Sequence, residues 1–263
     1  MPALVAASTG PLLVGPCPSE SGVDLSIVLP TCNEAQNITA VVEQLVAALH
    51  AISGLRYEII VVDDDSQDRT WERALSLTQR FPCLHVIRRQ GERGLATAVV
   101  RGWQLAQGTI LGAMDADLQH PPDVAAKLWN EMARGVDLAV ASRHAPGGGV
   151  SDWKFRRRII SRGAQLAGLV LLPEVISKVR DPMSGYFMIR RSALEQRELR
   201  PLGYKILIEV LGRVPVRSIS EVPYTFRERV DGTSKVTPRV YLDYLRHLMR
   251  LRVHSLNQLF RLG

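Results

Sequence analysis

Five short apolar runs, Leu25–Leu29, Tyr57–Val62, Leu84–Arg88, Thr109–Met114 and Val136–Ala141, recur along the first half of the chain with helix-like stretches between them. Their apolar character is continuous rather than alternating, as expected of strands covered on both faces of a parallel sheet. Pro30 is expected to end the first strand, and Asn33-Glu34 to open a helix. In that helix Ile38, Val41, Val42, Leu45, Val46 and Leu49 recur one, three or four residues apart, the spacing of a single buried helical stripe. Asp68–Arg80, with Asp68 placed as its cap, Leu95–Ala106 and Asp123–Arg134 supply three more helices. Strand and helix in repeated alternation, joined by short connections, predict an α/β fold: a Rossmann-like, doubly wound, mostly parallel sheet flanked by helices. Ligands of such sheets bind at the carboxyl ends of strands, near a switch in strand order.

The fourth run leads into Met114-Asp115-Ala116-Asp117-Leu118-Gln119-His120-Pro121-Pro122. Side chains two apart on an extended chain point the same way, so Asp115 and Asp117 aim at one point beyond the strand. Carboxylates held that close repel unless a cation sits between them. Oxygen donors of this kind suit Mg²⁺ or Mn²⁺, with Gln119 a third ligand if the extended geometry persists. A hard cation in such a place suggests a bound diphosphate. Asp-x-Asp alone is more often the mark of a turn or a helix cap; its position after a buried strand, and its company, distinguish this copy. Asp63-Asp64-Asp65-Ser66 follows the second strand and Glu34 the first, so an acidic rim gathers at one sheet edge. Asp63 or Asp64 is placed to accept a hydrogen bond from a base or ribose, or to cap the helix that follows.

A set of cations opposes this rim: Arg143 after the fifth strand, Arg156 and Arg157, then Lys205, Arg227, Arg229 and Lys235. Arginine grips phosphate in a bidentate fork and lysine acts as a point charge. Taken singly, each is an ordinary surface charge; together with the acids they match a nucleotide diphosphate plus a second phosphate. Ala145-Pro146-Gly147-Gly148-Gly149 reads as a loop. Ser151–Leu172 has a basic start (Lys154, Arg156, Arg157, Arg158, Arg162) and an apolar finish (Leu166, Leu169, Val170, Leu171, Leu172). It is either a core helix with a solvated end or a helix lying on a membrane with arginines at the headgroups. Asp181–Ile189 reads as a loop and strand, Lys205–Leu211 as a short helix, Ser218–Phe226 as a strand and Pro238–Leu262 as an amphipathic helix.

Composition narrows the classes. The chain has 263 residues, 46% of them hydrophobic, and a net charge of +7, enough for one large α/β domain or two small ones. A basic balance admits nucleic acid, an anionic membrane or a phosphorylated substrate. Nucleic acid is disfavoured, because no aromatic residues interleave the basic ones and the acidic rim would repel a phosphate backbone. No apolar stretch reaches the roughly 18 residues of a membrane span. Residues 1–22, rich in Pro, Gly, Ala and Ser with no basic start, read as a flexible tail and not as a signal peptide. Cys17, Cys32 and Cys83 show neither metal nor pairing spacing, which suits a reducing compartment.

Several segments in order carry a family resemblance. Pro30-Thr31-Cys32-Asn33-Glu34, Val61-Val62-Asp63-Asp64-Asp65-Ser66-Gln67-Asp68-Arg69-Thr70, Gly91-Glu92-Arg93-Gly94-Leu95, the Asp115–Pro122 segment and Ala141-Ser142-Arg143 resemble family-2 glycosyltransferases of GT-A fold. Arg157-Arg158-Ile159-Ile160-Ser161-Arg162-Gly163-Ala164, Asp181-Pro182-Met183-Ser184-Gly185-Tyr186-Phe187, Gly203-Tyr204-Lys205 and Phe226–Arg229 with Gly232–Lys235 resemble the dolichol-phosphate mannose synthase branch. The resemblance spans 24–240 and divides the chain into a tail (1–22), a GT-A catalytic domain (23–236) and a C-terminal amphipathic helix (237–263).

The resemblance implies an inverting, metal-dependent transfer of a sugar from a nucleotide donor onto a polyprenyl or dolichyl phosphate, with mannose from GDP-mannose foremost. A UDP-sugar donor and a non-catalytic homologue are the alternatives. Pro30, Cys32, Glu34, Asp63, Asp64, Asp115, Ala116, Asp117, Gln119, Lys205, Arg229 and Lys235 would bind the donor. Family members often carry tyrosine where Cys32 stands. Asp115, Asp117 and Gln119 would hold Mg²⁺ or Mn²⁺, and Arg143, Arg157 and Ser161 the acceptor phosphate. Asp117 and Arg143 would be catalytic. The protein would sit peripherally on the cytoplasmic face of a membrane, without a spanning helix, docked by amphipathic segments or through a small membrane partner protein.

Overall fold

The computed structural model of the protein describes residues 4–6, 10–18, 22–150, 168–227 and 238–259. Two short strands, β1 (Leu4–Ala6) and β2 (Leu12–Leu13), precede a regular alternation. It comprises β3 (Leu25–Thr31), α1 (Ile38–His50), β4 (Tyr57–Asp63), α2 (Thr70–Leu77), β5 (Leu84–Arg88), α3 (Leu95–Leu105), β6 (Ile110–Ala113), α4 (Val124–Ala133) and β7 (Leu138–Ser142). There follow β8 (Gly149–Val150), α5 (Pro173–Ile176), β9 (Phe187–Arg190), α6 (Arg191–Leu194), β10 (Glu198–Leu199), α7 (Ile206–Arg213), β11 (Ile219–Pro223), β12 (Thr225–Phe226) and α8 (Pro238–Leu259).

Among the described residues the main sheet has eight strands in the order β1-β5-β4-β3-β6-β9-β7-β11. All neighbours run parallel except β9, which is antiparallel to both β6 and β7. The order turns at β3, with β4 on one side and β6 on the other, and a crevice opens where successive connections diverge. Because β9 runs backwards, its beginning shares an edge with the ends of β3, β4, β6 and β7. The loop before β9 is thereby delivered to the same place.

Alternate residues of each central strand enter separate cores on the two sheet faces. Val28, Ile60 and Val62 pack beneath α3 and α7; Ile27, Leu29, Ile59 and Val61 pack against α1. On the first face Trp103 meets Phe187 edge-on at 5.9 Å and donates from Nε1 to Gly112 O at 3.0 Å. Helix α3 lies close because Gly102 has no side chain: a Cβ there would stand 2.6 Å from Val28 Cγ2.

Three expectations need correction. The first strand does not end at Pro30; β3 continues to Thr31, opposite Asp63. Val28 O accepts from Met114 N on the β6 side, whereas Thr31 O accepts from Asp64 N on the β4 side. By this alternation Pro30 faces the β6 side, where pairing has already stopped at Val28 opposite Ala113, so its missing donor costs no ladder bond. Helix α2 begins at Thr70 rather than Asp68, since Arg69 is left-handed (φ 58°). Asp68 still accepts from the Thr70 amide at 3.0 Å. The described part of 1–22 is not a loose tail. β1 extends the sheet edge beside β5, β2 pairs with β10, and Val14 is fully buried. Arg191 donates to Gly15 O at 3.2 Å and Arg101 to Gly10 O at 2.9 Å, which gives backbone carbonyls of a Pro- and Gly-rich segment buried cationic partners.

Of the basic-to-apolar segment, residues 151–167, with all of its cations, lie outside the described residues. Its end, 168–171, is helical, with Leu169 and Val170 exposed and Leu172 buried. No helix among the described residues is long and apolar enough to cross a membrane.

Candidate active site

The crevice edge is lined by strand ends. Strand β6 stops at Ala113, and the chain turns through Asp115, Ala116 and Asp117 toward a left-handed Leu118 (φ 59°). Asp115 remains partly exposed, with 30% of its side chain accessible, while Asp117 is buried and its Oδ1 accepts from the Gln119 amide at 3.1 Å. Ala116 is buried in the core between them. His120 Nε2 lies 3.2 Å from Asp115 Oδ2. The imidazole is buried in an aromatic cage, stacked on Tyr224 at 5.6 Å and met edge-on by Tyr186 and Phe226. Its Nδ1 has no hydrogen-bond partner among the described residues. On the other side Asp115 rests against backbone: a Cβ at Gly185 would lie 2.5 Å from its Oδ2.

The Asp181–Gly185 loop, brought here by β9, supplies a further acid. Arg143 donates to Asp181 from Nε and Nη2, each at 2.7 Å, and from its own amide at 3.0 Å. Its guanidinium also lies over Phe226, 5.3 Å from the ring centre. Burial pushes the Asp181 carboxyl up, but the Arg143 hydrogen bonds and charge outweigh it and hold the acid below its ordinary range. Lys205, at the start of α7, donates to Met183 O at 2.8 Å. Burial lowers its ammonium, and the like charge of Arg143 adds to this. Asp115, Asp181 and Asp117 pull the other way, leaving a pKa of about 8. Residues from four separate segments therefore share one electrostatic neighbourhood.

The other expected donor-binding residues are placed as follows. Asp63 accepts from Thr31 Oγ1 at 2.8 Å, Ser66 N at 2.8 Å and Ser66 Oγ at 2.6 Å. Asp64 accepts from Arg89 Nε and Gly94 N, both at 2.7 Å; burial pushes its carboxyl up although Arg89 opposes this. Both acids thus brace the loops around the crevice. Glu34 is buried and accepts from Asn37 Nδ2 at 2.8 Å. Pro30 is buried and Cys32 half-buried at the end of β3. Gln119 is buried, and its Nε2 donates to Arg227 O at 3.1 Å, tying the turn to the chain after β12. Arg157, Ser161, Arg229 and Lys235 lie outside the described residues. His120, Asp181, Arg89 and Gly185 had escaped sequence reasoning as site residues, although three of them stand in motifs quoted for the resemblance.

Among the described residues no three His, Cys, Asp or Glu side chains form a ready metal cluster. The donor set nevertheless fits Mg²⁺ or Mn²⁺. Such ions are commonly held by one or two carboxylates and completed by substrate phosphates and water. Asp115 and Asp117 would supply the carboxylates, and His120 and the Gly185 backbone confine Asp115.

The model of glycosyl transferase family 2 matches residues 26–197. The chain is 45% identical over 228 residues to the dolichol-phosphate mannosyltransferase of Pyrococcus furiosus, covering 86% of this chain and 63% of that one. It thus spans less than two thirds of that relative's length. Identity to the Saccharomyces cerevisiae dolichol-phosphate mannosyltransferase is 35% over 240 residues, 88% of each chain. Identity to the polyprenol monophosphomannose synthase of Mycolicibacterium smegmatis is 35%, over 80% of each chain. In fold, the chain resembles mannosyl-3-phosphoglycerate synthase of Rubrobacter xylanophilus (TM-score 0.65, 23% identity, 93% of this chain and 77% of that one). It also resembles glucosyl-3-phosphoglycerate synthase of Mycobacterium tuberculosis, solved with Mn²⁺, UDP-glucose and phosphoglyceric acid (TM-score 0.64, 20% identity, 89% and 81%). The sheet is that of a GT-A fold, its acids stand where such sheets bind ligands, and the chain belongs to glycosyl transferase family 2.

Proposed function

We propose that the protein transfers a sugar, mannose from GDP-mannose in the first instance, onto a polyprenyl or dolichyl phosphate at the cytoplasmic face of a membrane. The observation that carries this reading is the convergence of Asp115 and Asp117 with the Arg143–Asp181 pair and Lys205 at one crevice. The names of the relatives at 45% and 35% identity supply the substrate class.

In this reading Asp115 and Asp117 hold the divalent cation, which supplies positive charge and Lewis-acid assistance at the donor diphosphate. Gln119 donates its Nε2 to Arg227 O, a bond that leaves its amide oxygen to serve as the third, neutral ligand. Pro30, Cys32, Glu34 and the backbone at Ala116 line the nucleoside side. Asp63 and Asp64 act by holding Ser66, Gly94 and Arg89 around it. Lys205, Arg229 and Lys235 meet donor phosphates or sugar, while Arg143, Arg157 and Ser161 take the acceptor phosphate. Arg143 reaches that task already oriented by Asp181.

A phosphomonoester has its second pKa near about 6 and is already a nucleophile at neutral pH. No protein base is therefore required. An acceptor oxygen bonds to the anomeric carbon as the bond to the diphosphate breaks, and the electron pair leaves with the nucleotide. Attack from the opposite face inverts the anomeric centre. The difficulty is to bring two anions together, which preorganised cations overcome by orientation and electrostatics.

The test incubates the full chain with a polyprenyl phosphate, Mn²⁺ and each labelled sugar nucleotide in turn, and counts label in the organic phase. Label from GDP-mannose above all others is expected; label from a UDP-sugar instead overturns the donor, and none from any donor overturns the reading. Asp117→Ala is expected to lose at least about 100-fold in transfer with an unchanged unfolding transition. A folded D117A variant of near-normal activity overturns the metal assignment.

A further inference from the structure

Helix α8 carries two apolar faces. Tyr244, Leu248 and Leu251 enter the core beneath it. On the side turned away, Leu242, Leu245, Met249, Val253 and Leu256 recur three or four residues apart, 37–60% exposed. A stripe of that periodicity is a surface, not a scatter of single residues. Arg246 and Arg250 flank it on one side and Arg252 on the other, where Arg252 meets Glu174 at 2.9 Å. The helix contains four arginines against one acid, Asp243. Leu169 and Val170, 40% and 73% exposed, belong to the helical turn 168–171, whose Gly168 packs on Tyr244.

Beside the stripe, between α8 and the end of α7, lies a cleft of about 610 Å³. It is lined by Arg200, Arg213, Arg250, His254 and Asn257 together with the apolar Met249 and Val253. Arg213 is held by buried Glu209 at 2.6 Å, and Arg200 by Glu198 at 2.8 Å. Arg250 has no acidic partner among the described residues. Three guanidinium groups converge on one cleft, and two of its apolar wall residues belong to the exposed stripe.

We propose that this cleft binds the phosphate of an anionic phospholipid headgroup and that the stripe of α8 lies in the acyl boundary beside it. Charge chooses the occupant. A helix bearing apolar side chains flanked by arginines complements an anionic lipid surface, with the guanidinium groups reaching to the headgroups. The site is separate from the crevice, since Lys205 lies before the first turn of α7 and Arg213 closes its last. The proposal stands whichever sugar or acceptor the crevice takes. It adds a membrane-facing surface at the end of α7 away from Lys205.

The test is flotation of the full chain with vesicles of phosphatidylcholine alone or mixed with phosphatidylglycerol. Binding to the anionic vesicles only, weakened by salt, is expected. R200Q/R250Q is expected to bind about 10- to 30-fold more weakly, and M249Q/V253Q to lose flotation, both with unchanged unfolding transitions. Equal flotation with both lipids, or undiminished binding by R200Q/R250Q, overturns the headgroup site. Inorganic phosphate that raises the wild-type melting temperature, without any vesicle binding, marks a soluble-anion site and overturns the lipid assignment. A concentration-dependent dimer abolished by M249Q/V253Q, with no flotation, assigns the stripe to a second copy and also overturns it.

Discussion

At the scale of single residues, the crevice is organised by buried charge pairs. The side chains of Asp181 and Arg143 are 1% and 9% exposed and share two hydrogen bonds, with a third from the Arg143 amide. Such pairs contribute little over an apolar replacement, but removing one partner strands the other. Asp181 is held below its ordinary range despite burial. Its contribution is therefore complete above the unfolded carboxyl value, near about 3.9, and is lost as pH falls through the lower folded value. Urea unfolding followed from pH 6 downward should show this: Asp181→Asn is less stable at pH 6 by about 3 kcal/mol, and the gap narrows as the wild type is acidified. A gap that stays constant with pH would show that the pair does not titrate as argued. Asp115 and Asp117 could be singled out because they directly follow an apolar run, a local signal, although the chain turns there instead of staying extended. His120, Asp181 and Gly185 were not, because their roles rest on contacts between β6, β9 and β12 that no local rule supplies.

At the scale of elements, one glycine decides how closely α3 approaches the sheet. Gly102 lies mid-helix, where alanine is intrinsically favoured by about 1 kcal/mol. A Cβ there would meet both Val28 methyl groups, at 2.6 and 2.7 Å. Overpacking of this kind costs about 1–3 kcal/mol, so Gly102→Ala is expected to lower the urea midpoint although helix propensity alone predicts a rise. The five apolar runs became strands with ends shifted by no more than two residues, since continuous burial on both faces leaves a strong signature. Strand β9 was placed correctly along the chain, but its antiparallel direction left no trace there. That reversal carries Asp181 to the crevice.

At the scale of the whole molecule, the N-terminal residues complete the fold. Val14 is fully buried, and Arg191 and Arg101 hold the Gly15 and Gly10 carbonyls. Removing residues 1–18 is expected to lower the melting temperature by about 5–10 °C while the remainder stays folded; an unchanged transition in calorimetry would restore the picture of a loose tail. Helix α8 is likewise part of the core on one face while the other stays uncovered. Periodicity, composition and motif order were enough to establish a parallel α/β sheet, acids at one edge and the family, because each is written in neighbouring residues. Which acids face the crevice and which brace its loops, and how the N-terminal segment docks, emerged only in three dimensions. Hydrogen bonds between residues tens of positions apart decide those questions, and a linear reading sees the partners without their meeting.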